Sequence, residues 1–131
     1  MFRPKKIGPR AEHRDREAQR VRDSLTLADR FRKLKALTVD LSFFDAGGLT
    51  KNRSLKYTVN LANAKSVFRF NCPNPECVAG DFDLTDVLAA AVARRRVRVT
   101  GETVCPGWQN RTTIQTSPCK NLLRYTLTLT Y

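Results

Sequence analysis

The chain has little with which to run acid–base or nucleophilic chemistry. Its 131 residues contain one histidine, one methionine, one tryptophan and no C-x-x-C pair. A Ser–His or Cys–His nucleophile would have only His13 as base, in a basic arm that reads as solvent-exposed, and thioredoxin-like exchange lacks its motif. Gly47-Gly48, Gly101 and Gly107 do not make a phosphate loop in a strand–loop–helix setting. Asp81, Asp83 and Asp86 cluster where a helix begins, and capping together with the helix dipole accounts for them. These absences argue against an enzyme. No apolar run approaches the roughly 18 residues of a membrane span. The segment Met1 to Arg10 lacks the apolar stretch of a secretory signal, and Glu12, Asp15, Glu17 and Asp23 interrupt the arginines that a presequence would present unbroken. The expectation is one soluble, cytoplasmic domain.

Negative charge is scarce as well: 12 Asp and Glu stand against 24 Lys and Arg, a formal net charge of +12. Residues 1–35 hold 12 of the cations against 5 acids, so the N-terminal quarter carries over half of the excess. Such a charge creates a positive potential reaching about 8 Å at physiological salt and attracts polyanions.

What the chain does have is four cysteines, all in its second half: Cys72, Cys77, Cys105 and Cys119. In a reducing compartment four clustered thiols point to a closed tetrahedral zinc site, with Zn–S bonds near ~2.3 Å. Two disulfides, or unlinked thiols, are the alternatives. The first pair encloses Pro73-Asn74-Pro75-Glu76, residues suited to folding a short knuckle around one ion, while Pro106, Gly107 and Pro118 flank the second pair. The spacings are looser than those of a zinc ribbon. A site of four thiolates leaves no position for water, so the metal would be structural.

Hydrophobic periodicity orders the rest. From Ala11 to Ala36, Val21, Leu25, Ala28, Phe31 and Leu34 recur at intervals of four and three, the stripe of an amphipathic helix. Thr26 and Asp29 could instead start a shorter helix. Residues 1–10, with Pro4, Gly8 and Pro9, read as a flexible basic tail. Period-two runs follow at Leu37–Phe43, Leu55–Leu61, Ser66–Asn71, Arg96–Val104 and Asn121–Tyr131, with a helix from Leu84 to Arg95. Gly47-Gly48 suggests a hairpin between the first two strands. If the helix is a crossover, the fourth strand runs parallel to the third and brings Cys72 and Cys105 to one end.

The predicted architecture is therefore α+β: a five-stranded mixed or antiparallel sheet with one covering helix, a four-cysteine zinc site at one sheet end, and a basic N-terminal helix. Its divisions are a tail (1–10), the basic amphipathic helix (11–36) and the zinc-stabilised domain (37–131). Candidate nucleic-acid contacts are Arg3, Lys5, Lys6, Arg10, Arg14, Arg16, Arg20 and Arg22 of the arm, Arg96 and Arg98 on the fourth strand, and Trp108 with Arg111 on the second cysteine loop. The polar sheet face lacks the regular aromatics of a base-stacking platform, so RNA, or DNA, would be bound through phosphates. A second class of function is an assembly subunit that docks on an acidic protein through the Val21, Leu25, Ala28, Phe31 and Leu34 stripe.

Overall fold

A computed structural model describes residues 8–74, 76–110 and 116–131. Helix α1 covers Pro9–Asp23 and the single turn α2 covers Leu27–Arg30. Strands β1 (Ala36–Phe44) and β2 (Lys51–Thr58) follow, then β3 (Arg69–Asn71), β4 (Asp81–Asp83) and helix α3 (Thr85–Ala93). Strands β5 (Arg98–Val104), β6 (Trp108–Asn110), β7 (Thr116–Pro118) and β8 (Leu122–Thr130) complete the chain. No helix among the described residues is long and apolar enough to cross a membrane.

The architecture is α+β, but the main sheet has four strands where the sequence suggested five. Its order is β2-β1-β8-β5 and every pairing is antiparallel. The last strand, β8, lies inside the sheet because its unbroken alternation can pack one face while both edges are hydrogen-bonded. Leu37, Val39, Leu41 and Phe43 of β1 join Leu123, Leu127 and Leu129 of β8 in the core, with Leu27, Phe82, Leu84, Leu88 and Ala91 packed on them. The hairpin between β1 and β2 forms as expected. Gly47 and Gly48 adopt φ of +90° and +73°, values that side chains resist.

Several expectations are corrected. The run at Ser66–Asn71 does not join the main sheet; its last residues form β3, which pairs only with β4. Strand β5 is accordingly not parallel to β3 but antiparallel to β8. It also starts later than expected, at Arg98, which leaves Val97 of the expected run 65% exposed. The long helix from Ala11 to Ala36 is broken. Ser24 is extended and its hydroxyl donates to Val21 O at 2.7 Å, while Thr26 Oγ1 accepts the Asp29 N–H and starts α2. Leu27 donates its N–H to Ala64 O (2.8 Å) and becomes fully buried, an apolar gain that outweighs continuing the helix. The five stripe residues consequently share no helix face: Leu34 is in the core, Leu25 is 60% exposed, and Val21, Ala28 and Phe31 are half-buried on separate segments.

Candidate metal centre

The cysteines arrive from four points in the chain. Cys72 leaves β3, Cys77 lies in the loop to β4, Cys105 leaves β5 and Cys119 leaves β7. Because β5 and β8 are antiparallel neighbours, the exit of one and the entry of the other share a sheet end, fastened where Cys105 N–H donates to Asn121 O at 2.7 Å. The knuckle closes by Cys72 N–H donating to Gly80 O (2.8 Å) and Cys77 N–H to Asn74 O (3.2 Å). Reciprocal backbone bonds between Val78 and Trp108, at 2.7 and 3.0 Å, join it to the β6–β7 ribbon, and Cys119 N–H donates to Gly107 O at 2.9 Å. The predicted convergence is real, although its route is this antiparallel one.

All four thiols are buried and their Sγ atoms lie within 4.8 Å of one another. Cys72 and Cys119 are 3.7 Å apart, Cys77 and Cys105 3.6 Å. A disulfide requires about 2.05 Å, whereas a tetrahedron with arms of about 2.3 Å has edges of about 3.8 Å. The spacing is that of four ligands around one ion, and the cluster can hold a metal. Gly107 N–H points at Cys105 Sγ (3.4 Å), Asn74 Nδ2 at Cys119 Sγ (3.6 Å) and Asn121 Nδ2 at Cys72 Sγ (3.7 Å), donors that stabilise negative sulfur. The hydrogen bond with Cys105 lowers Cys72 to about 6. That same bond, with burial, raises Cys105, and burial raises Cys77 to about 12. Ionising all of them needs a compensating cation in the cluster.

Gly80 and Gly107 let backbone lie against the sulfurs. A Cβ at Gly80 would sit 3.0 Å from Cys105 Sγ and closer still to Cys77 Sγ; one at Gly107 would sit 2.6 Å from Val78 O. Sequence reasoning passed over Gly80, Asn74 and Asn121 as parts of the site. The one signal available was their position, each within three residues of a cysteine.

No protein-family model, curated protein or solved structure matches this chain. The site's chemistry is therefore read from its own geometry.

A second cluster lies beside the knuckle. His13, one turn before Glu17 on α1, donates from Nε2 to Asp81 Oδ1 at 2.9 Å, so it is a half-buried partner and not the solvated side chain expected. His13, Glu17 and Asp81 also place ligand atoms within 4.8 Å of one another. Their charge is already met: Arg20 pairs with Glu17 and Asp83, both at 2.9 Å, and Arg69 Nε lies 3.7 Å from Glu17 and 3.5 Å from Asp81. With Arg10 Nε donating to Cys77 O (3.1 Å), this network straps α1 onto the β3–β4 ribbon.

The strap changes the status of the predicted basic arm. Arg10 donates to the knuckle backbone and Arg20, although exposed, is engaged by Glu17 and Asp83; Arg22 donates to Gln19 Oε1, and Arg14 and Arg16 are exposed. Helix α1 carries five arginines against four acids and is nearly neutral. Trp108 is half-buried on β6 against the knuckle backbone. Arg96 and Arg98 lie at the far end of β5 from Cys105, about 23 Å by strand rise for Arg98. Arg3, Lys5, Lys6 and Arg111 lie outside the described residues.

Proposed function

We propose that the chain is a non-enzymatic, zinc-stabilised basic module that binds RNA, or DNA, through phosphate contacts. The observation that carries the binding half is how little of the positive charge folding consumes. Among the 20 Lys and Arg of the described residues, only Arg20, Arg69 and Arg124 have a carboxylate within 4.0 Å, although every Asp and Glu is described. Apart from Arg10 and Lys65, which donate to backbone carbonyls, the other described cations are exposed and open to a polyanion. Zinc is the metal that an all-cysteine tetrahedral cluster suits best. It would be held by Cys72, Cys77, Cys105 and Cys119, would fix the ribbons to the sheet, and would leave no position for a reacting water.

The assembly reading loses its docking stripe to the break at Ser24, and no other feature favours it over the charge. The test is binding of labelled duplex DNA, duplex RNA and single-stranded RNA to the full chain across a salt series, with metal content measured in parallel. A steep fall of log K with log salt is expected. Absence of binding near physiological salt overturns the nucleic-acid half, and a purified chain without bound zinc overturns the metal half.

A further inference from the structure

We infer that the nucleic-acid surface is the end of the sheet opposite the cysteines, where Lys33 and Lys35 meet Arg94, Arg95, Arg96 and Arg98. This rests on the phosphate-binding reading above and moves it from the N-terminal arm to a folded patch.

The two segments are some 60 residues apart in sequence and are joined by the C-terminal end of β8. Lys35 N–H donates to Thr130 O at 2.7 Å, and Leu129 N–H donates to Val97 O at 2.8 Å. The Tyr131 hydroxyl donates to Arg96 O (2.9 Å) and Ala91 O (3.2 Å), and the Arg95 guanidinium lies 5.1 Å above its ring. Strands β1 and β5 flank β8, so the backbones leading into them, which carry Lys35 and Arg96, run about 10 Å apart, on the scale of the Debye length. All six side chains belong to exposed residues and none has a carboxylate within 4.0 Å. Residues 30–39, 92–101 and 127–131 contain no Asp or Glu. The strap, by contrast, gathers Glu17 of α1 with Asp81 and Asp83 of β4.

The backbone at the centre of this patch is strained. Arg96 N–H donates to Ala91 O and Arg95 N–H to Val92 O, the two bonds of a Schellman motif, which places Arg95 at the left-handed position with φ of +50°. Glycine suits that position and arginine does not. Keeping three consecutive arginines through a turn that disfavours one of them points to a use for the charge.

The shape and chemistry select an extended polyanion. The nearby cavity between Val87, Ala90, Ala91, Arg94, Arg96 and Val99 holds about 140 Å³, below the 300 Å³ or so at which small-ligand pockets begin. A protein partner would need apolar or aromatic anchors, and the one exposed large apolar residue here is Val97. Four guanidinium forks fit phosphate oxygens bidentately.

The test uses the full-length, metal-loaded chain and labelled duplex DNA and RNA, with polyglutamate as a competing acidic polypeptide. The variant Lys33→Gln/Lys35→Gln/Arg96→Gln/Arg98→Gln removes four contacts. At about 0.9 per phosphate, the salt slope should fall by three to four and duplex DNA affinity by roughly a thousandfold at about 0.15 M salt. Arg95→Gly relieves the left-handed strain, so it should melt no lower than wild type yet bind about fivefold more weakly, the share of one contact. If wild type binds but the fourfold variant, with unchanged circular dichroism and metal content, binds equally well while Arg14→Gln/Arg16→Gln does not, the patch inference is overturned and the nucleic-acid reading stands. If wild type binds neither nucleic acid, both fall. If polyglutamate binds as tightly as the duplexes, an acidic protein replaces nucleic acid as the partner.

Discussion

Adding one methyl group at Gly80 separates a true four-sulfur centre from a chance gathering of thiols. An ideal Cβ there lies 3.0 Å from Cys105 Sγ and 3.0 Å from Cys72 Cβ, and nearer still to Cys77 Sγ, so three of the four ligand residues are crowded at once. Backbone conformation is not the obstacle, because Gly80 is outside the left-handed region. Relief requires either the Cys77 sulfur or the 72–80 loop to move by about an ångström, and that loop is pinned by Cys72 to Gly80 and by Val78 to Trp108. Overpacking of this kind costs about 1–3 kcal/mol in the metal-free protein. Since a metal–sulfur bond of about 2.3 Å cannot follow such a shift, affinity should drop at least as far as the 10–100-fold seen for lost supporting groups. The measurement is competition between the protein and a chromophoric chelator, with cobalt as a spectroscopic substitute whose thiolate charge-transfer band reports sulfurs bound. Gly101→Ala is the comparison: its Cβ would meet the Tyr125 ring, 2.8 Å from Cζ, a side-chain tip on a half-buried residue that can swing aside. Gly80→Ala with wild-type metal affinity and an unchanged cobalt band would refute the tetrahedral reading.

Three further outcomes are expected. Stripping the metal from the chain should speed amide exchange in residues 72–80 and around Cys105 and Cys119, while the β1 and β8 amides, held by the core, stay protected; exchange that chelation leaves unchanged contradicts a structural metal. Leu27→Ala should lower stability by about 2–5 kcal/mol and Leu25→Ala by under about 0.5 kcal/mol in chemical denaturation, because one is fully buried and the other 60% exposed; equal losses would restore the unbroken stripe. The Asp83 carboxyl, although burial raises it, is held below its usual range by hydrogen bonds from Thr85 and Arg20. A depressed carboxylate contributes stability above the unfolded value of about 4 and loses it as pH falls through the folded value, so the difference in unfolding midpoint between wild type and Asp83→Asn should be present at neutral pH and vanish in acid; a difference independent of pH sinks the strap as an ionic device.

Much of the fold could be read from local pattern, because alternation is written into the residues that alternate. Leu37 to Phe43 and Leu123 to Leu129 name their own buried face, and Gly47-Gly48 names its turn. The short ribbons were harder. Three residues, as in β3 or β6, are too few to show a period, and their partners are chosen by tertiary contact. The N-terminal stripe misled because an apolar repeat every three or four residues describes equally a helix and a helix, turn and loop that feed one core.

By itself the sequence determined that four thiols were available in its second half, and that positive charge was in twofold excess. It also fixed the central strands, since side-chain alternation is a local property. Only the tertiary structure decided which groups are neighbours. It brought the cysteines together through the antiparallel pairing of β5 with β8, engaged His13, Arg10 and Arg20 as a strap, and left Lys33 and Lys35 near Arg94, Arg95, Arg96 and Arg98 without a counter-charge. Distances between residues far apart in sequence are set by packing and register, and no local pattern encodes them.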